Sequence, residues 1–144
     1  MFEGSFYTLP TFFHGKDAEV YVADSGNTER NLTTYATSVG IPAEVETAEV
    51  STLGDDDKVY VTGLRDRTIS IEGKWDGTVD GYLSGLLGGT PRAWKVFPAG
   101  SASGRPYYSG SAILTSFEVS ADVGDAVGFT AEFQNSGAVT RGTV

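Results

Sequence analysis

The sequence predicts a mainly β domain, a sandwich or barrel with one helix packed on its side. Three observations lead to this class. Four segments alternate between apolar and polar side chains with a period of two, which is typical of half-buried antiparallel strands. Clusters of Gly, Pro, Asn, Asp and Ser separate the segments, as turns do. A single stretch has the periodicity of an amphipathic helix.

The four alternating segments carry carboxylates, Ser and Thr on one face and aliphatic or aromatic side chains on the other. They cover residues 39–46, 68–75, 113–123 and 126–134. The side chains expected to be buried between layers are Ile71, Phe117, Val119, Phe129 and Phe133. The polar face combines six carboxylates with one lysine: Glu44, Glu46, Glu72, Glu118, Asp122, Glu132 and Lys74.

Local signals predict the elements of the first half in chain order. Residues 1–15 are aromatic and Gly-rich without a clear period, so we expect an arm that becomes ordered through contacts elsewhere. A proline in a sheet is tolerated at the start of a strand or on an edge, and Pro42 is expected there. The other predicted elements are a strand over 18–23, a turn over 24–27, a surface loop over 51–58, a strand over 59–61, a turn over 63–66 and a strand over 68–75.

Residues 76–88 are the predicted helix. Their apolar positions follow the spacing i, i+3, i+4, i+7 and i+8, which places them on one helical face. Asp76 or Thr78 is the expected N-cap, and Gly88 with Gly89 is the expected stop. A helix this short and amphipathic is expected to lie against a sheet. Its apolar face consists of Val79, Tyr82, Leu83, Leu86 and Leu87.

The C-terminal part is predicted to contain a strand over 92–97, a Gly/Ser loop over 98–106 and a long strand over 107–123 that leads into a final hairpin. A polar tail is expected from Asn135. The predicted domain organisation is an N-terminal arm over 1–15, a single β domain over 16–136 and a C-terminal tail over 137–144.

The final hairpin has three possible registers. A two-residue loop of Gly124 and Asp125 is disfavoured because the apolar faces of the two strands would not meet. A three-residue loop lets the faces meet but sets Glu118 opposite Glu132, an unfavourable pair. A five-residue loop keeps the faces and separates the two acids. The sequence does not decide between the last two registers.

Composition excludes several classes of protein. The 144 residues suffice for one domain that buries about 70% of its unfolded surface. The chain has no cysteine, which excludes disulfides, thiolate catalysis and Cys-based zinc sites. A net charge of −9 argues against ordinary nucleic-acid binding, where cations must neutralise phosphates. Neither a signal peptide nor a membrane-spanning stretch is predicted.

No combination of residues predicts catalysis. The single histidine, His14, lies in the N-terminal arm, and no motif marks a nucleophile for it. The Gly-rich stretch 88–92 follows a helix rather than preceding one, so it offers no helix N-terminus to a phosphate. The consecutive Asp55, Asp56 and Asp57 lack the alternate spacing of an EF-hand loop and indicate a solvated loop tip or an interface. We therefore expect no enzyme activity, no metal and no cofactor.

Three stretches in order along the chain resemble a known family. The first is Val-Glu-Thr-Ala-Glu-Val-Ser-Thr from residue 45, followed by Gly54 and Asp55. The second is Gly-Leu-Arg-Asp-Arg-Thr-Ile-Ser-Ile-Glu-Gly from residue 63. The third is Phe-Glu-Val-Ser-Ala-Asp-Val from residue 117 with Phe-Thr-Ala-Glu-Phe from residue 129. With the helix between them, they resemble the major tail protein, the tail tube subunit, of long-tailed bacteriophages with non-contractile tails.

This resemblance, which covers residues 16–141, implies a structural virion protein with two packed antiparallel sheets and a flanking helix. Six subunits are expected to form a ring, rings to stack into a tube, and one sheet of each subunit to line the lumen. The implied partners are further copies of the chain and the tape measure, tail tip and tail terminator proteins. DNA is expected to pass through the lumen without specific binding, and no membrane is involved. The subunit would reside in the host cytoplasm before assembly and in the virion tail afterwards.

The resemblance assigns roles to two sets of residues. An acidic face suits the wall of a DNA conduit, because cations there would bind phosphates and stall the genome. The residues expected to face the lumen are Glu44, Glu46, Ser70, Glu72, Glu118, Ser120, Asp122, Thr130 and Glu132. The loop expected between subunits contains Leu53, Gly54, Asp55, Asp56, Asp57, Lys58 and Tyr60. The cations considered as partners of this loop are Arg30, Arg92, Arg105 and Arg141.

Two other functions compete with this interpretation. A tube protein of a contractile or type VI-like secretion system would share the architecture but conduct protein. A monomeric β-sandwich binding module would share only the strand pattern. Self-assembly into rings or tubes separates the first two functions from the third.

Overall fold

The computed structural model describes residues 10–144, so the first nine residues of the expected arm lie outside the described part. Within it, the chain forms ten strands and one α-helix, and the sheets are antiparallel, which confirms the predicted fold class. The strands are β1 (Glu19–Ala23), β2 (Glu29–Asn31), β3 (Ala36–Gly40), β4 (Glu44–Glu49), β5 (Tyr60–Asp66), β6 (Thr68–Lys74), β7 (Arg92–Phe97), β8 (Pro106–Ser120), β9 (Gly128–Asn135) and β10 (Thr140–Thr143). The helix is α1 (Gly77–Leu83).

Eight of the strands form one sheet in the order β2-β1-β7-β8-β9-β6-β3, with β10 paired to β8. The long strand β8 connects two layers of this sheet. Its first half pairs with β7 and β10, and its second half pairs with β9. We call β3, β6, β9 and residues 114–120 of β8 the acidic layer. The other strands of this sheet, with the first half of β8, are the second layer. Strands β4 and β5 form a separate hairpin.

One hydrophobic core joins the two layers. Cross-strand partners such as Val22 with Trp94, and Ile69 with Phe133, place apolar side chains on the same face. Each fully buried aliphatic or aromatic side chain contributes about 1.5–3 kcal/mol to stability. The main members of this core are Val20, Val22, Trp94, Val96 and Ala112 of the second layer and Ile69, Ile71, Leu114, Phe129, Ala131 and Phe133 of the acidic layer.

The predicted burial is confirmed for three of the five side chains. Ile71, Phe129 and Phe133 are buried in the core. Phe117 is only half-buried, and Val119 is 45% exposed. The prediction was wrong for Val119 because this residue lies on an edge of the sheet that no strand of residues 10–144 covers.

The predicted helix is confirmed in position but is shorter than expected. Asp76 is the N-cap, since its Oδ1 accepts a hydrogen bond of 2.9 Å from the Thr78 amide. The α-helix ends at Leu83, continues as the 3-10 turn Ser84–Leu86 and stops before Gly88, which has a φ of +68°. Val79, Leu83 and Leu86 enter the core, whereas Leu87 is exposed.

Three sequence predictions for the connections were wrong. The alternating segment 39–46 is divided between β3 and β4, which belong to different sheets, and Pro42 lies between them without an amide hydrogen to continue a ladder. The predicted turn 63–66 lies within β5, and Arg67 alone separates β5 from β6. The expected C-terminal tail contains β10, and its Val144 amide donates to the Arg105 carbonyl oxygen at 2.8 Å.

The register of the β8–β9 hairpin agrees with the five-residue alternative. Ser120 pairs with Gly128, and Glu118 pairs with Thr130. The apolar faces therefore meet while the two glutamates are kept apart. The strand predicted to reach residue 123 ends at Ser120, so Asp122 and the fully exposed Val123 lie in the connecting loop.

Candidate functional site

The outer face of the acidic layer is a regular arrangement of carboxylates and hydroxyls. Thr130 of β9 lies between Glu72 of β6 and Glu118 of β8. In the neighbouring row, Glu132 of β9 lies between Ser70 and Ser116. No two carboxylates of these two rows are direct cross-strand partners.

This alternation limits repulsion within the subunit. Glu72 and Glu118 are two strands apart, which corresponds to about 10 Å between their backbones. That distance exceeds the screening length of roughly 8 Å at physiological salt. Glu132 is the diagonal neighbour of both, about 7–8 Å away, so its repulsion of them is only partly screened. Lys74 lies at the end of this face, opposite Gly128.

The structure brings most of the proposed lumen residues together. Glu44 and Glu46 lie apart from the rest, on β4 of the separate hairpin, and Asp122 lies in the loop beyond β8. The sequence pattern could not detect this separation, because alternation along a strand does not tell which sheet the strand joins. The residues that share the outer face of the acidic layer are Ser70, Glu72, Glu118, Ser120, Thr130 and Glu132.

The acidic layer has two unpaired edges within the described residues. One is β3, the last strand of the sheet order. The other is β8 beyond Leu114, where the partner strand β7 has already ended at the pair Arg92–Ala112. Half-exposed apolar side chains line both edges, with Phe117 and Val119 on β8 and Val39 on β3. An edge strand has unpaired backbone N–H and C=O groups, so it can form hydrogen bonds with a strand of another chain, and its apolar side chains would be buried by that pairing.

The β4–β5 hairpin is exposed along both strands and pairs with no strand of the large sheet. Its exposed aliphatic side chains include Val45, Val61 and Leu64. An isolated two-stranded hairpin is marginally stable in water, so this one gains stability from any surface that covers it. The predicted surface loop is confirmed as the connection between these strands.

The hairpin tip has a defined conformation. Asp55 Oδ2 accepts a hydrogen bond of 2.7 Å from the Thr52 amide, and the Val59 amide donates to Ser51 Oγ at 2.7 Å. These bonds hold the loop and leave Leu53 fully exposed at its end. The neighbouring loop residues Gly54, Asp56, Asp57, Lys58 and Tyr60 are exposed as well.

Two arginines lie at the opposite end of the hairpin. Arg65 pairs across the strands with Val45, whereas Glu44 pairs with Asp66 on the other face. Arg67 follows at the junction with β6 and lines an apolar cavity of about 530 Å³. The other residues that line this cavity are Ala18, Val39, Ile41, Ala43, Val96, Pro98 and Tyr108.

The cations considered from the sequence are partly engaged within the subunit. Arg30 Nε donates to Asp24 Oδ2 at 2.7 Å, and its guanidinium lies 4.8 Å from the centre of the Tyr82 ring. Arg105 donates to the Ala99 carbonyl oxygen at 3.3 Å. Arg92 is half-buried, and Arg141 is exposed on β10. Arg65 was missed because residues 63–66 were predicted as a turn, and Arg67 was missed because it lies between that predicted turn and the next predicted strand.

Two carboxyl groups with shifted pKa values lie away from these surfaces. Hydrogen bonds from Ser101 and Tyr21 lower the pKa of Glu19, and the bond from Arg30 lowers that of Asp24. Both groups connect neighbouring segments of the second layer, so their role is structural. Among residues 10–144, no group of three or more acidic or histidine side chains could hold a metal ion. The described helices are all too short to span a bilayer.

Comparisons with known proteins agree on one architecture. A family model described as "Phage tail tube protein" matches residues 11–141. A chain from the virion of a native gene transfer agent particle has a TM-score of 0.73 at 16% identity, over 90% of this chain and 98% of that one. A chain of the SPP1 tail tube has a TM-score of 0.70 at 13% identity, over 92% of this chain and 80% of that one. No curated protein matches.

The fold is also similar to that of a chain from the sheath-tube complex of an extracellular contractile injection system. The TM-score is 0.62 at 17% identity, over 97% of this chain and 95% of that one. At such identities the structural likeness describes the fold. The family match rests on the sequence itself and covers most of the chain.

Proposed function

Since the chain belongs to the phage tail tube protein family, we propose that six copies close into a ring and that rings stack into a hollow tube. A structure of the tail of a gene transfer agent particle, which includes a chain of similar fold, has C6 symmetry. The protein is a structural component of a tail. The unpaired edges of the acidic layer are the observation that supports ring closure.

The directions of the strands are compatible with this closure. The acidic layer has four antiparallel strands, β8, β9, β6 and β3, so its two edge strands run in opposite directions. When copies are related by rotation about a ring axis, β3 of one copy meets β8 of the next in an antiparallel pair. Val39 on one edge and Val119 on the other would then join a core that continues across the subunit boundary.

The size of the resulting barrel suits a conduit. Four strands from each of six copies give 24 strands. With strands about 4.8 Å apart and tilted about 40°, such a barrel is roughly 50 Å across at its backbone. A barrel of this width leaves an open lumen after its side chains are placed, which is sufficient for double-stranded DNA.

We place the face that carries Glu72, Glu118 and Glu132 on the lumen. DNA has about one negative charge per 1.7 Å, and its affinity for proteins depends on contacts between cations and phosphates. A wall of glutamate, Ser and Thr offers no such contacts. Screening confines the repulsion to DNA near the wall, so the charges prevent adhesion rather than drive ejection.

The partners follow from the proposed role. Copies of the chain are the main partner, and tape measure, tail tip and tail terminator proteins are the others. Subunits would await assembly in the host cytoplasm, and no enzymatic activity is required of them. The likeness to a tube complex of a contractile injection system makes a tube around a protein cargo the second candidate.

Ring closure is tested by a charge placed on the proposed edge. Val119→Lys adds a cation to an edge residue that is already 45% exposed, so the subunit should fold normally. Rings and tubes should disappear in electron micrographs and size-exclusion profiles. Ala93→Lys, at an exposed position of the second layer, is the control and should assemble. Normal rings from Val119→Lys would contradict the proposed closure.

A further inference from the structure

We infer that the hairpin tip of one subunit inserts Leu53 into the apolar cavity beside Arg67 on a subunit of the adjacent ring, while Asp56 and Asp57 face Arg65 and Arg67. This inference rests on the proposed stacking of rings. It adds a specific receptor site for the hairpin, and the occupant is a second copy of this chain.

The tip has the properties of an inserting element. Leu53 is fully exposed, although the bonds of Asp55 to Thr52 and of Ser51 to Val59 keep the loop around it ordered. A preorganised apolar side chain loses little conformational freedom when it enters a pocket. Asp56 and Asp57 take part in no side-chain hydrogen bond or ion pair within the described residues, so their carboxylates are available to a partner. Glu49 adds a further negative charge beside the tip, and Lys58 is the only cation in the tip.

The hairpin base has the complementary properties. The cavity of about 530 Å³ is lined by aliphatic and aromatic side chains, and among the described residues that line it Arg67 alone is charged. Arg65 and Arg67 both line a second, adjoining hollow, together with Ala43, Glu44 and Val45, so two cations and one carboxylate lie at the entrance and its net charge is positive. Glu44 is the cross-strand partner of Asp66, and Asp66 accepts a hydrogen bond from Gln134.

The arrangement favours a contact between copies over a contact within one copy. Within β4 the strand from Val45 at the base to Glu49 spans roughly 13 Å, and Leu53 lies beyond the end of this strand, in the connecting loop. The tip therefore cannot reach its own base. A tip on one copy and a receptor on another form a head-to-tail contact, which does not close on itself and propagates along an axis. This is the geometry that stacking requires.

Charge reversal at each end provides a sharp test. One variant carries Asp56→Lys and Asp57→Lys, and Asp55 is kept because it holds the loop. The other carries Arg65→Glu and Arg67→Glu. Each variant alone brings like charges together at every contact, so we expect single rings and at least a tenfold loss of tubes. A mixture of the two should recover tubes in which rings of the two variants alternate, because each tip then meets a base of opposite charge.

A matched control changes the same number of charges elsewhere. Asp122→Lys with Asp125→Lys reverses two exposed acids in the β8–β9 loop and should form tubes alone. Failure of the mixture to form tubes, while both variants still form rings, would overturn the tip-to-base contact and leave ring closure intact. Loss of the rings themselves in either variant would also overturn the tip-to-base contact between rings, because the changed residues would then act within a ring. Rings that fail to form from the unchanged chain would instead count against the proposed function.

Disulfide trapping tests the apolar part of the contact. The chain has no cysteine, so single introduced thiols react cleanly. A Leu53→Cys variant mixed with an Ala43→Cys variant should form a crosslinked dimer under mild oxidation, because disulfides require Cβ atoms about 4 Å apart. Thr28→Cys, on an exposed turn, replaces Ala43→Cys as the control. Equal crosslinking to both positions, or none to Ala43→Cys in intact tubes, would show that another segment occupies the cavity.

Discussion

Glu118 of β8 lies directly opposite Thr130 of β9, and this single pairing fixes the charge pattern of the acidic layer. A shift of two residues in the register would set Glu118 against Glu132 and create an unfavourable acidic pair. In the register observed, every carboxylate of the two central rows has a hydroxyl as its neighbour. The layer can therefore carry a dense negative charge without a direct clash between carboxylates.

The first prediction concerns the effect of this charge on DNA. Both residues are exposed, so Glu118→Lys combined with Glu132→Lys should leave the subunit folded and the rings intact. The new lysines should form contacts with DNA phosphates. Tubes of this variant should retain double-stranded DNA at low salt, and the binding should weaken steeply as salt rises. The measurement is co-sedimentation of DNA with tubes. Glu29→Lys with Asp17→Lys, two exposed changes outside this face, should retain none.

The second prediction concerns the core. Phe133→Ala removes a ring buried between Leu114 and Ile69, its cross-strand partners, and should lower the free energy of unfolding by about 3–5 kcal/mol. Urea unfolding of the unassembled subunit measures this loss. Val119→Ala, in the same acidic layer, should lower the free energy of unfolding by less than about 1 kcal/mol, since Val119 is 45% exposed before assembly. Similar losses for both variants would place Val119 in the core.

The third prediction concerns a close approach of two strands. A Cβ at Gly73 would collide with the Tyr35 carbonyl oxygen and lie 2.9 Å from the Phe129 ring. Gly73→Ala should therefore lower the free energy of unfolding by an amount at the upper end of the usual 1–3 kcal/mol for overpacking. Gly40→Ala, at an open position of β3, is the matched control and should be neutral. Equal stability of the two variants in urea would refute this account of Gly73.

The sequence predicted the strand periodicity, the helix with its Asp76 cap and the existence of the acidic face. These features depend on local patterns that one strand or helix displays by itself. The assignment of Glu44 and Glu46 to the hairpin was not predictable, because it depends on which strands pair over long distances. The roles of Arg65 and Gly73 were missed for the same reason, since only the tertiary fold shows what lies beside them.

The fourth prediction concerns acid stability. The hydrogen bond from Arg30 lowers the pKa of Asp24 in the folded protein below its unfolded value. Such a group stabilises the fold above its unfolded pKa, and this contribution is lost as the pH falls below about 4. Asp24→Asn should therefore lower the urea midpoint at pH 7 and have a smaller effect at pH 3. A difference between variant and wild type that grows toward pH 3 would contradict this role.

The central claim is that the acidic layer closes into a barrel around the lumen. A cryo-electron microscopy map of the assembled protein, at a resolution that separates strands, tests it most directly. The account predicts six-fold rings in which β3 of each subunit pairs with β8 of the next and Glu72, Glu118 and Glu132 face the channel. A tube whose lumen is lined by the second layer, with these glutamates on its outer surface, would contradict it.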